Sequence, residues 1–433
     1  MFGKIGPYLL SAFAADIALS TPLHLELFSS KVAEETGARC LDGSPAGYYL
    51  REQDPYRWVI FLEGGGLCLT AVDCVVRAKT TARGSSRFWK EDKTPENNHM
   101  LTELSPLNPF ETWSHVYVPY CSGDTWLGTS RDVHAVGDYM MSGHLILDAV
   151  LETLAKTTSF DSSLEVVMAG TSAGAIGVFQ QLDWFADKVR SLSSAPSPPR
   201  VTGFPVEGLF FPKHFPVLFP EFLLGLHHAL DNTMVDYVAW LFRPAKLHEG
   251  CREAAQREGF KEAHCFDASV VFPYIKTPMF ILTNQFDKLM VTALGTCPWC
   301  SAKARPGSMT GRFLSYFSEC MNETFAVFQK AQSNVGLFAT NEFHHDENFP
   351  PFFRDKERKI QGLSLRAAIE RWYHLGLETF LVEAPCGGGI RHGKEEALPC
   401  DSPAHNDEGG EEEQQQQQQL LRRLQVPQGD LHV

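Results

Sequence analysis

The chain reads as an α/β fold built on a mostly parallel central sheet with helices on both faces. Three observations predict it. Short, continuously apolar runs recur at Trp58 to Leu62, His115 to Pro119, Leu164 to Ala169 and Met279 to Thr283, as expected of strands buried on both faces. Amphipathic segments alternate with them, which is the pattern of helices crossing between parallel strands. One strand passes into one helix through Gly170-Thr171-Ser172-Ala173-Gly174, a G-x-S-x-G turn of the kind that exposes a serine at the carboxyl edge of a sheet.

Taken in order, Tyr139 to Leu154 carries a helical repeat ahead of the serine-bearing strand. After the turn, Ile176, Phe179, Leu182, Phe185, Ala186 and Val189 fall on one helix face. Ser191 to Arg200 is a Ser/Pro loop. Phe204 to Phe242 is crowded with Phe, Leu, Trp and Pro and is read first as core and packing helices, with a lipid- or substrate-facing cap as the alternative. Met279 to Thr283 supplies a late strand, and Leu363 to Leu377 a last helix. The chain divides into residues 1–35, an N-terminal segment; 36–385, one catalytic domain; and 386–433, a disordered acidic and Gln-rich tail.

Composition narrows the functional classes. A formal charge of −14 over 433 residues, with no basic stripe to offset it, argues against a nucleic-acid partner. No apolar run reaches the roughly 18 residues of a membrane span. Lys4 followed by apolar residues from Ile5 to Ala15 is a candidate secretory signal. Eleven cysteines, several in local pairs such as Cys68 with Cys74, Cys251 with Cys265 and Cys297 with Cys300, suit an oxidising compartment. Cys297-Pro298-Trp299-Cys300 has no second C-x-x-C to complete a zinc site, so a disulfide or loop pair is favoured over metal.

A serine nucleophile needs a base, an orienting acid and oxyanion donors. Asp287 follows the late strand through Asn284-Gln285-Phe286, and His344 lies downstream in the polar loop Asn341 to Asp346, with adjacent His345 as its rival. The early strand ends in Glu63-Gly64-Gly65-Gly66. Such a glycine loop can bring bare N–H groups beside the serine. Neither a Walker spacing nor G-x-G-x-x-G follows it, which disfavours phosphate binding.

Together these blocks resemble the pectin acetylesterase and Notum family. The resemblance runs through Cys40-Leu41-Asp42-Gly43-Ser44-Pro45-Ala46-Gly47-Tyr48, then Leu62-Glu63-Gly64-Gly65-Gly66-Leu67-Cys68, Cys74, Gly84-Ser85-Ser86, Tyr120-Cys121-Ser122-Gly123-Asp124, the Ser172 turn, and Thr277 to Leu282 leading to Asp287. It implies a serine carboxylesterase of α/β-hydrolase type, requiring no cofactor or metal. Ser172 would be the nucleophile, Asp287 the acid and His344 the base, with the N–H groups of Gly65, Gly66 and Ala173 as the oxyanion hole. Cys68 with Cys74 and Cys251 with Cys265 match family cysteine positions. Plant-type members flank the catalytic histidine with cysteines where Asn341 and His345 stand here, and Leu67 replaces an aromatic residue. The choice between His344 and His345 therefore stays open.

The three consecutive glycines resemble the polysaccharide-acting branch of the family more than the Notum branch, and that resemblance implies O-acetyl esters on a pectin-like polysaccharide as substrate, acted on by a secreted monomer. A Notum-like deacylase that removes a long palmitoleoyl chain from a protein is the second expectation. A catalytically silent binding protein of the same fold is the third.

Overall fold

The computed structural model describes residues 21–68, 70–95, 100–102, 108–130, 139–210, 245–292, 300, 305, 308–331, 335–345, 359–384, 390–391, 394–395 and 399. Ten strands form one sheet: β1 (Leu23–Leu27), β2 (Gly47–Arg51), β3 (Arg57–Leu62), β4 (Asp92–Lys93), β5 (Ser114–Val118), β6 (Glu165–Thr171), β7 (Arg200–Val206), β8 (Met279–Asn284), β9 (Val335–Thr340) and β10 (Thr379–Val382). Their order is β10-β9-β8-β7-β6-β3-β5-β2-β1-β4. From β10 to β5 every pairing is parallel, and β2, β1 and β4 add an antiparallel edge. The mostly parallel α/β architecture expected from the sequence is the observed one.

Strand alternation sorts the core into two layers. Trp58, Ile60, Leu62, Val166 and Met168 face one layer. There they meet Ile146 and Leu147 of α3 (Gly143–Thr157), Phe179 and Leu182 of α4 (Ala173–Leu192), and Phe317 and Phe325 of α8 (Met309–Ala331). Val59, Phe61, Val167 and Ala169 face the other, against Trp113 and the Ile369, Trp372 and Tyr373 side chains of α9 (Leu365–Tyr373). Among the described residues the remaining α-helices are α1 (Ser30–Thr36), α2 (Ala71–Thr80), α5 (Glu249–Glu258), α6 (Ala268–Val271) and α7 (Lys288–Thr292). None of the described helices is long and apolar enough to cross a membrane.

All four strands expected from apolar runs are present, as β3, β5, β6 and β8. The folded domain begins earlier than residue 36, because β1 and α1 precede it and β1 pairs with β2 over His24 to Leu27. β1 lies between β2 and the two-residue edge strand β4 and carries an alternating sequence, Leu-His-Leu-Glu-Leu, of which Leu23 is fully buried while Leu27 is half exposed. The aromatic stretch from Phe204 is core where it is described: Phe204 and Val206 lie in β7, and Leu209 and Phe210 are buried after it. The remainder of that stretch, the candidate secretory signal, Cys297, and nearly all of residues 386–433 lie outside the described residues.

Disulfides join Cys68 to Cys74 and Cys251 to Cys265, two of the local pairs noted in the sequence, and also Cys40 to Cys121 across 81 residues.

Candidate active site

Successive strands deliver the candidate residues to one edge of the sheet. Ser172 follows β6, Glu207 follows β7, Asp287 follows β8 by a short turn, and His345 follows β9. The glycine loop follows β3, on the other side of β6. The chain order reverses beside β6, and the carboxyl ends of strands at such a switch point form a crevice.

Ser172 takes the backbone angles φ 52, ψ −117 that L-residues rarely adopt. The turn is held by the Ser172 N–H donating to Val206 O at 2.9 Å. It is also squeezed: a Cβ on Gly174 would lie 2.2 Å from Leu62 O. Glycine is therefore needed two residues after Ser172 to let α4 start against β3. Ala173 opens α4, so its N–H is one of the first-turn donors that a helix leaves without an intrahelical acceptor.

His345 completes a chain of contacts. Its Nε2 lies 3.0 Å from Ser172 Oγ, and its Nδ1 lies 2.7 Å from Asp287 Oδ2. With Nδ1–H donating to the carboxylate, Nε2 is left as an acceptor for the serine hydroxyl. Asp287 is fixed in turn, because its Oδ1 accepts from Met290 N–H at 3.0 Å in the first turn of α7. The three side chains are buried, with His345 8% and Asp287 7% exposed.

This geometry corrects the assignment of His344. His344 contributes its backbone carbonyl, which accepts from Asn284 Nδ2 at 3.1 Å and from Lys288 N–H at 3.2 Å. Those two bonds tie the loop to the end of β8 and the start of α7. The next side chain, His345, is the one aimed at Ser172. Sequence order places both histidines after the same strand; only the anchoring of the intervening carbonyl separates them.

Glu207 was not anticipated. It too has positive φ, 50°, and its side chain is completely buried. Oε1 accepts from Asn284 Nδ2 at 2.6 Å, and Oε2 lies 3.6 Å from His345 Nδ1. Among the described residues, Glu207, Asp287 and His345 are the cluster whose ligand-type atoms all fall within 4.8 Å of one another, and two carboxylates facing one imidazole, Asp287 hydrogen-bonded to it and Glu207 3.6 Å away, account for the clustering. The sequence signal was a lone Glu-Gly after an apolar strand, which alone carries no chemistry.

The glycine loop is wired to the Tyr120 to Asp124 motif. Tyr120 N–H donates to Glu63 Oε2 at 2.7 Å and Trp126 Nε1–H to Glu63 O at 3.0 Å. The Cys68 N–H donates to Gly123 O, and Cys68 is tied to Cys74 of α2. Arg77, also on α2, donates from Nη1 to Gly65 O at 2.6 Å. Gly65 and Gly66 hold φ of 149° and 70°. Asp124, fully buried, organises the second motif by accepting from Ser122 Oγ and from the N–H groups of Trp126, Gly128 and Gly143. Burial pushes its pKa up, against those hydrogen bonds. The motifs recognised in the sequence are thus in contact with each other, and what they jointly set is the position of bare backbone beside Ser172: a Cβ on Gly64 would lie 3.1 Å from Ser172 Cβ.

A parallel sheet with a strained serine turn, a histidine on a late loop and an acid after the preceding strand defines an α/β-hydrolase-like fold with a Ser-His-Asp constellation. Residues 20–387 match the pectinacetylesterase family, and the chain belongs to that family. Pectin acetylesterase 5 of Arabidopsis thaliana is 32% identical over 391 residues, covering 83% of each chain. The palmitoleoyl-protein carboxylesterase notum1a of Danio rerio is 34% identical over 268 residues, which cover 60% of this chain and 50% of that protein. The chain spans about half the length of the Notum relatives it matches. The structure of the Wnt deacylase Notum from Drosophila superposes with a TM-score of 0.67 at 23% identity, over 84% of this chain and 97% of that one, a likeness of fold.

Proposed function

We propose that the protein is a serine carboxylesterase that cleaves O-acyl esters through an acyl-enzyme on Ser172. The observation that carries this is the unbroken run Ser172 Oγ, His345 Nε2, His345 Nδ1, Asp287 Oδ2, with separations of 3.0 and 2.7 Å. In this account Ser172 Oγ attacks the ester carbonyl while His345 Nε2 takes its proton. The oxyanion is met by the N–H groups of Gly65, Gly66 and Ala173, donors that need no reorganisation as charge develops. His345 then protonates the departing alcohol oxygen, and water repeats the cycle to release the acid. Asp287 holds the ring and stabilises the imidazolium without itself taking the proton.

For the acyl group, the proposed substrate is an O-acetyl ester on a pectin-like polysaccharide. The three-glycine loop supports it, as does the 83% coverage in both directions shared with pectin acetylesterase 5. Removal of a long acyl chain from a protein is the second reading, favoured by the 34% identity with notum1a over its shorter match. Three disulfides among the described residues suit a protein that folds in the secretory pathway and works outside the cell. The proposed state is a monomer.

The test is a series of p-nitrophenyl acetate, octanoate and palmitate with Ser172→Ala as control. A falling kcat/KM with chain length is expected, with every rate lost in the variant. A maximum at eight or more carbons overturns the acetyl assignment, and turnover retained by Ser172→Ala overturns the mechanism.

A further inference from the structure

The imidazole of His345 faces two buried carboxylates rather than one. Asp287 Oδ2 lies 2.7 Å from Nδ1 and Glu207 Oε2 3.6 Å from the same atom. The groups packed around the ring are Asp287 from the turn after β8, Glu207 from the end of β7, Ser172 from the end of β6, and the Phe210 ring with its centroid 6.1 Å away.

Glu207 is placed there at some cost. It holds a left-handed backbone conformation, which is strained for a residue other than glycine, and its side chain has no solvent exposure. A purely structural carboxylate could be replaced by an apolar group with little loss, whereas a buried charge must be bonded. The site supplies those bonds. Asn284 donates through Nδ2 to Glu207 Oε1 at 2.6 Å, and its Oδ1 accepts from Thr340 Oγ1. Because Asn284 Nδ2 also donates to His344 O, one amide fixes both Glu207 and the backbone that carries His345. The register of the sheet is continued beyond the strands by Ser172 N–H to Val206 O and Glu207 N–H to Leu282 O, each 2.9 Å. Serine and second carboxylate are therefore set by neighbouring strands in one hydrogen-bonded series.

We infer that Glu207 is a second acid of the catalytic base: a positioning residue that shares the Nδ1 side of His345 with Asp287, strengthens the imidazolium formed during catalysis, and takes over that role when Asp287 is lost. This rests on the esterase reading above. Two charges near one imidazole favour its protonated form more than one does. Neither carboxylate touches the substrate, and no covalent step is added: the proton accepted at Nε2 comes from Ser172 Oγ and returns to the leaving group, while the Nδ1 proton stays on the ring, bonded to one acid or the other.

The experiment compares Glu207→Gln, Glu207→Asp, Asp287→Ala and the double variant Glu207→Gln/Asp287→Ala on p-nitrophenyl acetate across pH 4.5 to 9 (about the range in which imidazole titrates), with melting curves to confirm folding. Ser172→Ala and His345→Ala are included. Glu207→Gln is expected to move the acid limb of kcat/KM to lower pH by about one unit while lowering the plateau only severalfold, and Glu207→Asp to keep the limb near its original place. The same Glu207→Gln change is expected to cost at least tenfold more in kcat when Asp287 is absent than when it is present, a non-additivity reserved for groups serving one function. A limb that stays in place in Glu207→Gln, with an equal cost in both backgrounds, overturns the inference and leaves the esterase reading standing. Activity retained by Ser172→Ala and His345→Ala overturns both.

Discussion

His345 Nδ1 stands 2.7 Å from Asp287 Oδ2, while the carbonyl of the residue before it, His344, is taken by Asn284 and Lys288. In the proposed mechanism that division of labour between adjacent histidines makes His345 the base and His344 an anchor. Removing the His345 ring should lower kcat by roughly 10³-fold or more, as loss of a triad base does. His344→Ala keeps its carbonyl and should stay within about tenfold of the parent. Parallel kcat/KM measurements decide it, and the reverse ranking would return the base to His344.

The tightness of the nucleophile turn gives a second prediction. A methyl on Gly64 would meet Thr171 O at 2.8 Å and Ser172 Cβ at 3.1 Å. Gly64→Ala should therefore displace the glycine loop from Ser172 and lower kcat by about 10²-fold, the scale of one lost oxyanion donor. Its melting temperature should fall by only a few degrees. Unchanged kcat with normal folding would show that the loop is not positioned against the serine.

Most of the sheet was legible in the sequence because a strand buried on both faces must be apolar throughout. Trp58 to Leu62 and Met279 to Thr283 satisfy that rule, and both are strands. β1 is not a continuously apolar run: Leu-His-Leu-Glu-Leu alternates apolar and polar residues, as a strand beside the short edge strand β4 with one covered face does, so the rule that marks the central strands does not find it. β9, Val335–Thr340, includes a glycine in a short run that could equally start a loop. Of the site, Ser172 and Asp287 could be placed because each lies at the end of a recognisable strand. Glu207 could not, because its meaning lies in the distance to His345, a separation of 138 positions in sequence that only the β7, β8, β9 adjacency closes.

The disulfides should separate by role. Cys40–Cys121 closes 81 residues and ties the segment before β2 to the motif after β5, so its loss should cost about 2–5 kcal/mol in stability. Cys68–Cys74 closes only 6 residues, but it fastens the end of the glycine loop to α2. Cys68→Ser/Cys74→Ser should accordingly reduce kcat more than it lowers the denaturant midpoint. Denaturation and kinetics on both double variants check this, and equal profiles would contradict it.

Acid should weaken the junction between α4 and the entry to β8. Burial pushes the Asp183 carboxyl up, but hydrogen bonds from His248, Thr277 and Lys276 outweigh it and hold the pKa at about 2. A carboxyl depressed in the folded state stabilises above its unfolded pKa of about 4, and that stability drains away as pH falls toward about 2. Allowing for its partial exposure to solvent, Asp183→Asn should cost about 1–2 kcal/mol at pH 7 and almost nothing at pH 2. Urea midpoints at the two pH values measure the difference, and a constant gap would contradict the assignment.

The central claim is that Ser172 is a nucleophile activated by His345. Stoichiometric labelling with a fluorophosphonate, read by intact mass and peptide mapping, tests it most directly. The expected result is one phosphonyl adduct per chain on the peptide containing Ser172, absent in Ser172→Ala and formed at least 10²-fold more slowly in His345→Ala (on the order of the loss of general-base assistance). An adduct on another residue, or labelling of Ser172 at the same rate without His345, would contradict it.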